Sequence, residues 1–152
     1  MLRRLSIWNF AIIERLDLHV QEGFIAITGE TGAGKSIVFD AMELAMGRRA
    51  SAEMIRRGAD RAQVEALFSL TPVQSGRLLP TLEEHGCPVE EDLHVKRILT
   101  AEGRNRVFVN GSKCSLRALQ DIAAGLVDLV GQHAGHQLLV PGSHLRVLDD
   151  YA

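Results

Sequence analysis

The chain has 152 residues, 46% of them apolar and 24% charged, with a net charge of −2 at pH 7. That is about one soluble globular domain with a core of its own, and the charge balance carries no global basic signature. No apolar run approaches membrane-spanning length, and Asn9, Glu14, Arg15 and Asp17 interrupt the stretch that a signal peptide starting at Met1-Leu2-Arg3-Arg4 would need.

Leu2, Leu5, Ile7 and Phe10, then Ile13, Leu16, Leu18 and Val20, predict two short strands that turn near Ala11-Ile12. Gln21-Glu22-Gly23 turns the chain into Phe24-Ile25-Ala26-Ile27, an apolar run read as a buried strand. A helix is expected from about Ser36 to Met46, stopped by Gly47 in the left-handed conformation. The basic loop Arg48-Arg49 follows, and Ser51 is placed to cap a short helix holding Met54, Ile55, Arg56 and Arg57, closed by Gly58.

Residues 62–70 alternate as a strand, with Val64, Ala66, Phe68 and Leu70 inward. Pro72 opens a helix through His85, ended by Gly86 and Pro88. Leu93 to Leu99 is another alternating strand, Glu102-Gly103-Arg104-Asn105 a turn, Arg106 to Val109 a strand, and Asn110-Gly111 a tight-turn signal. Ser115 is positioned to cap a helix with Leu116, Leu119 and Ile122 on one face. Leu126 to Val130 reads as a short buried strand before Gly131-Gln132-His133, and the pattern turns helical again from about Ser143. Cys87 and Cys114 lack metal-type spacing, so a reduced, intracellular setting is the simplest reading.

Between the apolar run and the first helix stand Gly29-Glu30-Thr31-Gly32-Ala33-Gly34-Lys35-Ser36, the pattern G-x-x-x-x-G-K-[ST]. Strand, glycine loop and helix form the setting in which this pattern binds nucleoside triphosphates. Glycines let successive backbone N–H groups converge on one anion, and the new helix adds its positive dipole end. Lys35 is then expected to reach the β- and γ-phosphates of ATP, and the Ser36 hydroxyl to ligate Mg²⁺. Such a pattern should arise in only about one random chain of this length in a few hundred. A phosphate-loop ATPase also needs an acidic residue at the end of a second apolar strand. Neither Asp128, whose run continues apolar, nor Asp149-Asp150, whose run is broken by Arg146, fits that role.

The chain resembles the RecN family of bacterial DNA-repair ATPases, in the SMC-like group. The resemblance rests on Leu5-Ser6-Ile7-Trp8-Asn9-Phe10-Ala11-Ile12-Ile13-Glu14, the phosphate loop from Thr28 to Ser36, Gly47-Arg48-Arg49-Ala50-Ser51 and Ile55-Arg56-Arg57-Gly58-Ala59, together with Gly103 to Gly111 and Gly131-Gln132-His133. It implies an α/β fold: the N-terminal lobe, residues 1–152, of an ABC/SMC-type head, with a mixed sheet around the strand–phosphate loop–helix unit. In such heads a long coiled coil separates the two lobes, and the acidic strand and signature motif belong to the C-terminal lobe; both coil and C-terminal lobe are expected to be missing from this chain. The implied partners are that C-terminal lobe, a second head in a homodimer, and DNA, in the form of double-stranded ends. The implied setting is repair of double-strand breaks and recombination, in the cytoplasm at the nucleoid and with no membrane.

The same resemblance makes Gln132 the glutamine whose amide ligates Mg²⁺ or orients water, with Gln137 its rival. His133 and His136, without a third ligand nearby, are read as loop residues rather than a metal site. Arg48, Arg49, Arg56 and Arg57 are the densest basic stretch. Any one of them is most simply solvated charge; one is expected to neutralise phosphate, with Arg49 the first choice. Arg104 and Arg106 could meet DNA or be ordinary hairpin charges, and Trp8 and Phe10 are read as packing residues, with Asn9 and Phe10 bordering the adenine in related heads. Two rival functions remain open from sequence: a phosphate-loop kinase, for which no arginine-rich lid is visible, and a nucleotide-gated DNA-binding or dimerisation scaffold without its own catalysis.

Overall fold

A computed structural model describes residues 1–23, 25–28, 34–124 and 126. The strands are β1 (Leu2–Phe10), β2 (Ile13–His19), β3 (Arg61–Ser69), β4 (Asp92–Thr100), β5 (Asn105–Val109) and β6 (Ser112–Cys114). They form one sheet in the order β2-β1-β3-β4-β5-β6, with every neighbouring pair antiparallel. The helices are α1 (Lys35–Ala45), α2 (Pro72–Glu84) and α3 (Leu116–Ala123).

The register explains which face carries the core. Leu5 stands opposite Leu18 and Ala66, and Ile7 opposite Leu16 and Val64, so one residue in two along each strand points to the same side. On that side β4 contributes Leu93, Val95 and Leu99, and β5 Val107 and Val109. The helix α1 lays Val38, Ala41, Leu44 and Ala45 against this face, while α3 adds Leu119 and Ile122. Burying apolar side chains of this size is worth roughly 1.5–3 kcal/mol each, which is why the period-2 pattern fixes the register.

Local signals hold at most boundaries. Asn110 and Gly111 both have positive φ, 47° and 77°, which suits the two-residue turn joining β5 to β6. Asn110 is further tied down: its Oδ1 accepts from the His94 N–H at 2.8 Å and its Nδ2 donates to Pro88 O at 2.8 Å. Thr71 and Gln74 form a capping box at the start of α2, and Ser115 Oγ accepts from Ala118 N–H at 3.0 Å to cap α3. Cys87 and Cys114 are free thiols facing one another; burial pushes both above the usual thiol range, Cys114 to about 11.

Two expectations are corrected. Residues 25–28 are not a buried strand: they are irregular, with Ile25 and Ile27 48% and 55% exposed. A strand apolar on both faces needs hydrogen-bonded neighbours and cover on each side, and none of the six described strands pairs with these residues. The helix expected after Ser51 is a single 3-10 turn, Ala52–Met54, and Ser51 makes no side-chain cap. A tertiary contact ends it, because Ile55 bridges Phe10 and the Arg56 N–H donates to Asn9 O at 2.8 Å. The strand expected at 126–130 and the helix from Ser143 lie outside the described residues, apart from Leu126, which packs half-buried against the core. Among the described residues no helix is long and apolar enough to cross a membrane.

Candidate functional site

The phosphate-loop motif enters α1 through Gly34, at φ 91° and ψ 2°. A side chain is strained in that left-handed conformation, so glycine is required by the backbone; a Cβ there would meet nothing within 4 Å among the described residues. Lys35 and Ser36 are the first two residues of the helix, and the Val38 N–H closes its first turn on Gly34 O at 3.0 Å. Among the described residues no side chain caps this end, and its first turn holds no acid. The leading N–H groups and the positive end of the helix dipole thus have no described carboxylate or hydroxyl of the kind that proteins usually supply there. Such an end suits an anion. Gly29, Glu30, Thr31, Gly32 and Ala33 lie outside the described residues, as do Gln132, Gln137, His133, His136, Asp128 and Asp149.

A second constellation gathers where β1 turns into β2. Asn9 and Ala11 have φ near 50°, and the turn is pinned by the Ala11 N–H to Met54 O at 2.7 Å and by the Arg56 N–H to Asn9 O. Asn9, Arg56, Gly58, Ala59, Asp60 and Arg61 line a polar cleft of about 590 Å³. Phe10, next along β1, is buried in the core.

The four loop arginines separate clearly here. Arg48 donates to Asp40 and Glu43, both at 2.6 Å, and these carboxylates hold its guanidinium above the ordinary arginine range. Arg49 and Arg57 are exposed. Arg56 lines the cleft and pairs with Glu14 at 3.4 Å. Arg104 and Arg106 are exposed at the β4–β5 turn.

Sequence reasoning passed over Arg97. It occupies an inward position of β4 between Val95 and Leu99 and is fully buried. Its Nη1 donates to Leu44 O at 2.7 Å and Arg48 O at 3.4 Å, while Nε and Nη2 donate to Asn105 Oδ1 at 3.2 and 3.0 Å. Burial pushes its pKa down to about 10, so it stays charged at neutral pH. The visible signal was an arginine in an apolar slot of an alternating strand.

A family model for an AAA domain matches residues 4–108, well over half of the chain. The chain belongs to the AAA domain family. It is similar to the DNA repair protein RecN of Vibrio cholerae, 43% identical across the whole chain, and to that of Bacillus subtilis, 40% identical across the whole chain. The chain spans about 27% and 26% of the length of these two relatives. Its fold is similar to that of an SMC ATPase solved in work on ATP-driven dimerization and DNA stimulated activation, with TM-score 0.68 and 20% identity over 99% of both chains. These matches bear out the RecN-family resemblance and the α/β phosphate-loop head-lobe fold read from the sequence, and membership of an ATPase family implies nucleotide binding.

Proposed function

We propose that residues 1–152 are the N-terminal lobe of an ATPase head that binds ATP and, joined to its C-terminal lobe, hydrolyses it during DNA double-strand-break repair and recombination. The observation that carries this reading is the N-terminal end of α1, where a left-handed Gly34 precedes Lys35 and Ser36 and, among the described residues, no capping side chain or first-turn acid is present. Backbone amides of residues 30–36 and the Lys35 ammonium stabilise phosphate charge, a task that dominates phosphoryl transfer. Ser36 and Gln132 are the residues that would hold Mg²⁺, which would neutralise phosphate charge when bound. One of the loop arginines, Arg49 by the sequence reading or Arg56 on the cleft beside Asn9, neutralises phosphate charge.

The similarity to RecN and to an SMC ATPase described by ATP-driven dimerization and DNA stimulation supports three partners: the C-terminal lobe, a second head, and double-stranded DNA. The setting is the cytoplasm, at the nucleoid.

The test is ATP binding and turnover in the complete protein. Lys35→Ala should abolish productive ATP binding, a loss of several kcal/mol because charge-assisted contacts disappear. The 152-residue chain alone should show negligible hydrolysis and regain it when the C-terminal lobe is supplied. Wild-type ATP affinity and turnover in the Lys35→Ala protein would sink the assignment.

A further inference from the structure

We propose that Arg97 is a positioning residue for the phosphate loop, fixing the far end of α1 so that Gly34, Lys35 and Ser36 are held in register for a bound nucleoside triphosphate. The inference rests on the nucleotide-binding reading above. An arginine with no exposed surface is an expensive occupant of a position flanked by Val95 and Leu99, and among the described residues no carboxylate pairs with it. A buried charge without a carboxylate partner persists only where its hydrogen bonds repay the desolvation.

What the guanidinium touches supplies the reason. Leu44 O and Arg48 O belong to the last turn of α1 and the loop beyond it, where unsatisfied carbonyls and the negative end of the helix dipole favour a cation. Asn105 Oδ1, at the start of β5, accepts from both Nε and Nη2 and so fixes the plane of the fork. The carbonyls are thereby tied to β4 and β5 at once. Gln120 of α3 completes the anchorage by donating to Gly47 O at 2.8 Å. The 11-residue helix, about 16 Å long, packs on the sheet through Val38, Ala41, Leu44 and Ala45, and Arg97 adds the polar tie that sets the position of its far end.

Arg97→Met, Arg97→Lys and Asn105→Ala in the complete protein test this, each measured for thermal unfolding and for affinity toward a fluorescent ATP analogue with Mg²⁺. Arg97→Met leaves the Leu44 and Arg48 carbonyls without this donor and should melt below the wild-type temperature. Assayed well below that melting temperature, it should bind the analogue at least about tenfold more weakly, since misplaced contacts are costly in this way. Arg97→Lys, which keeps one charged donor, should recover part of that loss. Asn105→Ala leaves the arginine in place but frees its plane, and should weaken binding about two- to fivefold with little change in melting. It keeps the test decisive if Arg97→Met does not fold. Wild-type affinity in a folded Arg97→Met protein, or in Asn105→Ala where Arg97→Met does not fold, overturns the proposal, while Lys35→Ala measured alongside still loses binding. Should Lys35→Ala bind as well as wild type, the site reading fails and this inference falls with it.

Discussion

The two ends of α1 are built on opposite plans. At the C-terminal end Arg97 and Gln120 donate to the carbonyls of Leu44, Arg48 and Gly47, and Arg48 folds back onto Asp40 and Glu43. At the N-terminal end no side chain among the described residues caps the helix, although Ser115 and Thr71 cap the other two. A helix end left bare usually costs about 1 kcal/mol relative to a capped one. The difference teaches where the fold spends its polar contacts: the structural end is saturated by the protein, and the end proposed to receive phosphate carries no capping side chain among the described residues.

Substituting the glycine at each end sharpens that contrast. Gly47 has φ 96°, and a Cβ there would stand 2.7 Å from Gln120 Cγ and 3.3 Å from its Cα. Gly47→Ala should therefore destabilise the chain by about 3 kcal/mol, backbone strain and overpacking adding together. A melting temperature within a degree or two of wild type would show that the anchored end is looser than the contacts suggest.

Gly34→Ala should cost less stability and more function. With φ 91° but nothing within 4 Å of the added methyl among the described residues, backbone strain of about 1–2 kcal/mol is the whole expected penalty. Nucleotide affinity should nevertheless fall markedly, because relaxation of that strain turns the loop amides away from the phosphates. Melting and titration on the same protein separate the two effects, and intact affinity would break the comparison.

The smallest effect belongs to Arg48→Ala. Its two ion pairs are half exposed, so their loss should cost at most about 1 kcal/mol and less at high salt. A larger penalty in a salt-dependent melting series would mean that Arg48 shares the anchoring task assigned to Arg97.

Much of this was legible in the chain itself. Alternation placed Val64, Ala66 and Phe68 inward, and Asn110-Gly111 marked the turn between β5 and β6, because these signals depend on one or two residues and their immediate neighbours. Gly47 was readable as a helix stop for the same reason. The 3-10 turn at 52–54 was not, since Ile55 is drawn away by Phe10, 45 positions earlier in a chain whose local pattern favours helix. β6 escaped notice because three residues are too few to show a period.

Sequence by itself carried the reading of residues 29–36 as a phosphate loop, since glycines, lysine and serine at that spacing are the pattern of an anion cradle. It also determined the family, through ordered motifs spread along the chain. Only the tertiary structure decided that the strands make one wholly antiparallel described sheet, that Arg56 rather than Arg49 faces the cleft beside Asn9, and that Arg97 grips the end of α1. Those facts join residues about 50 positions apart, and such pairings are set by which faces meet once the core closes rather than by any local propensity.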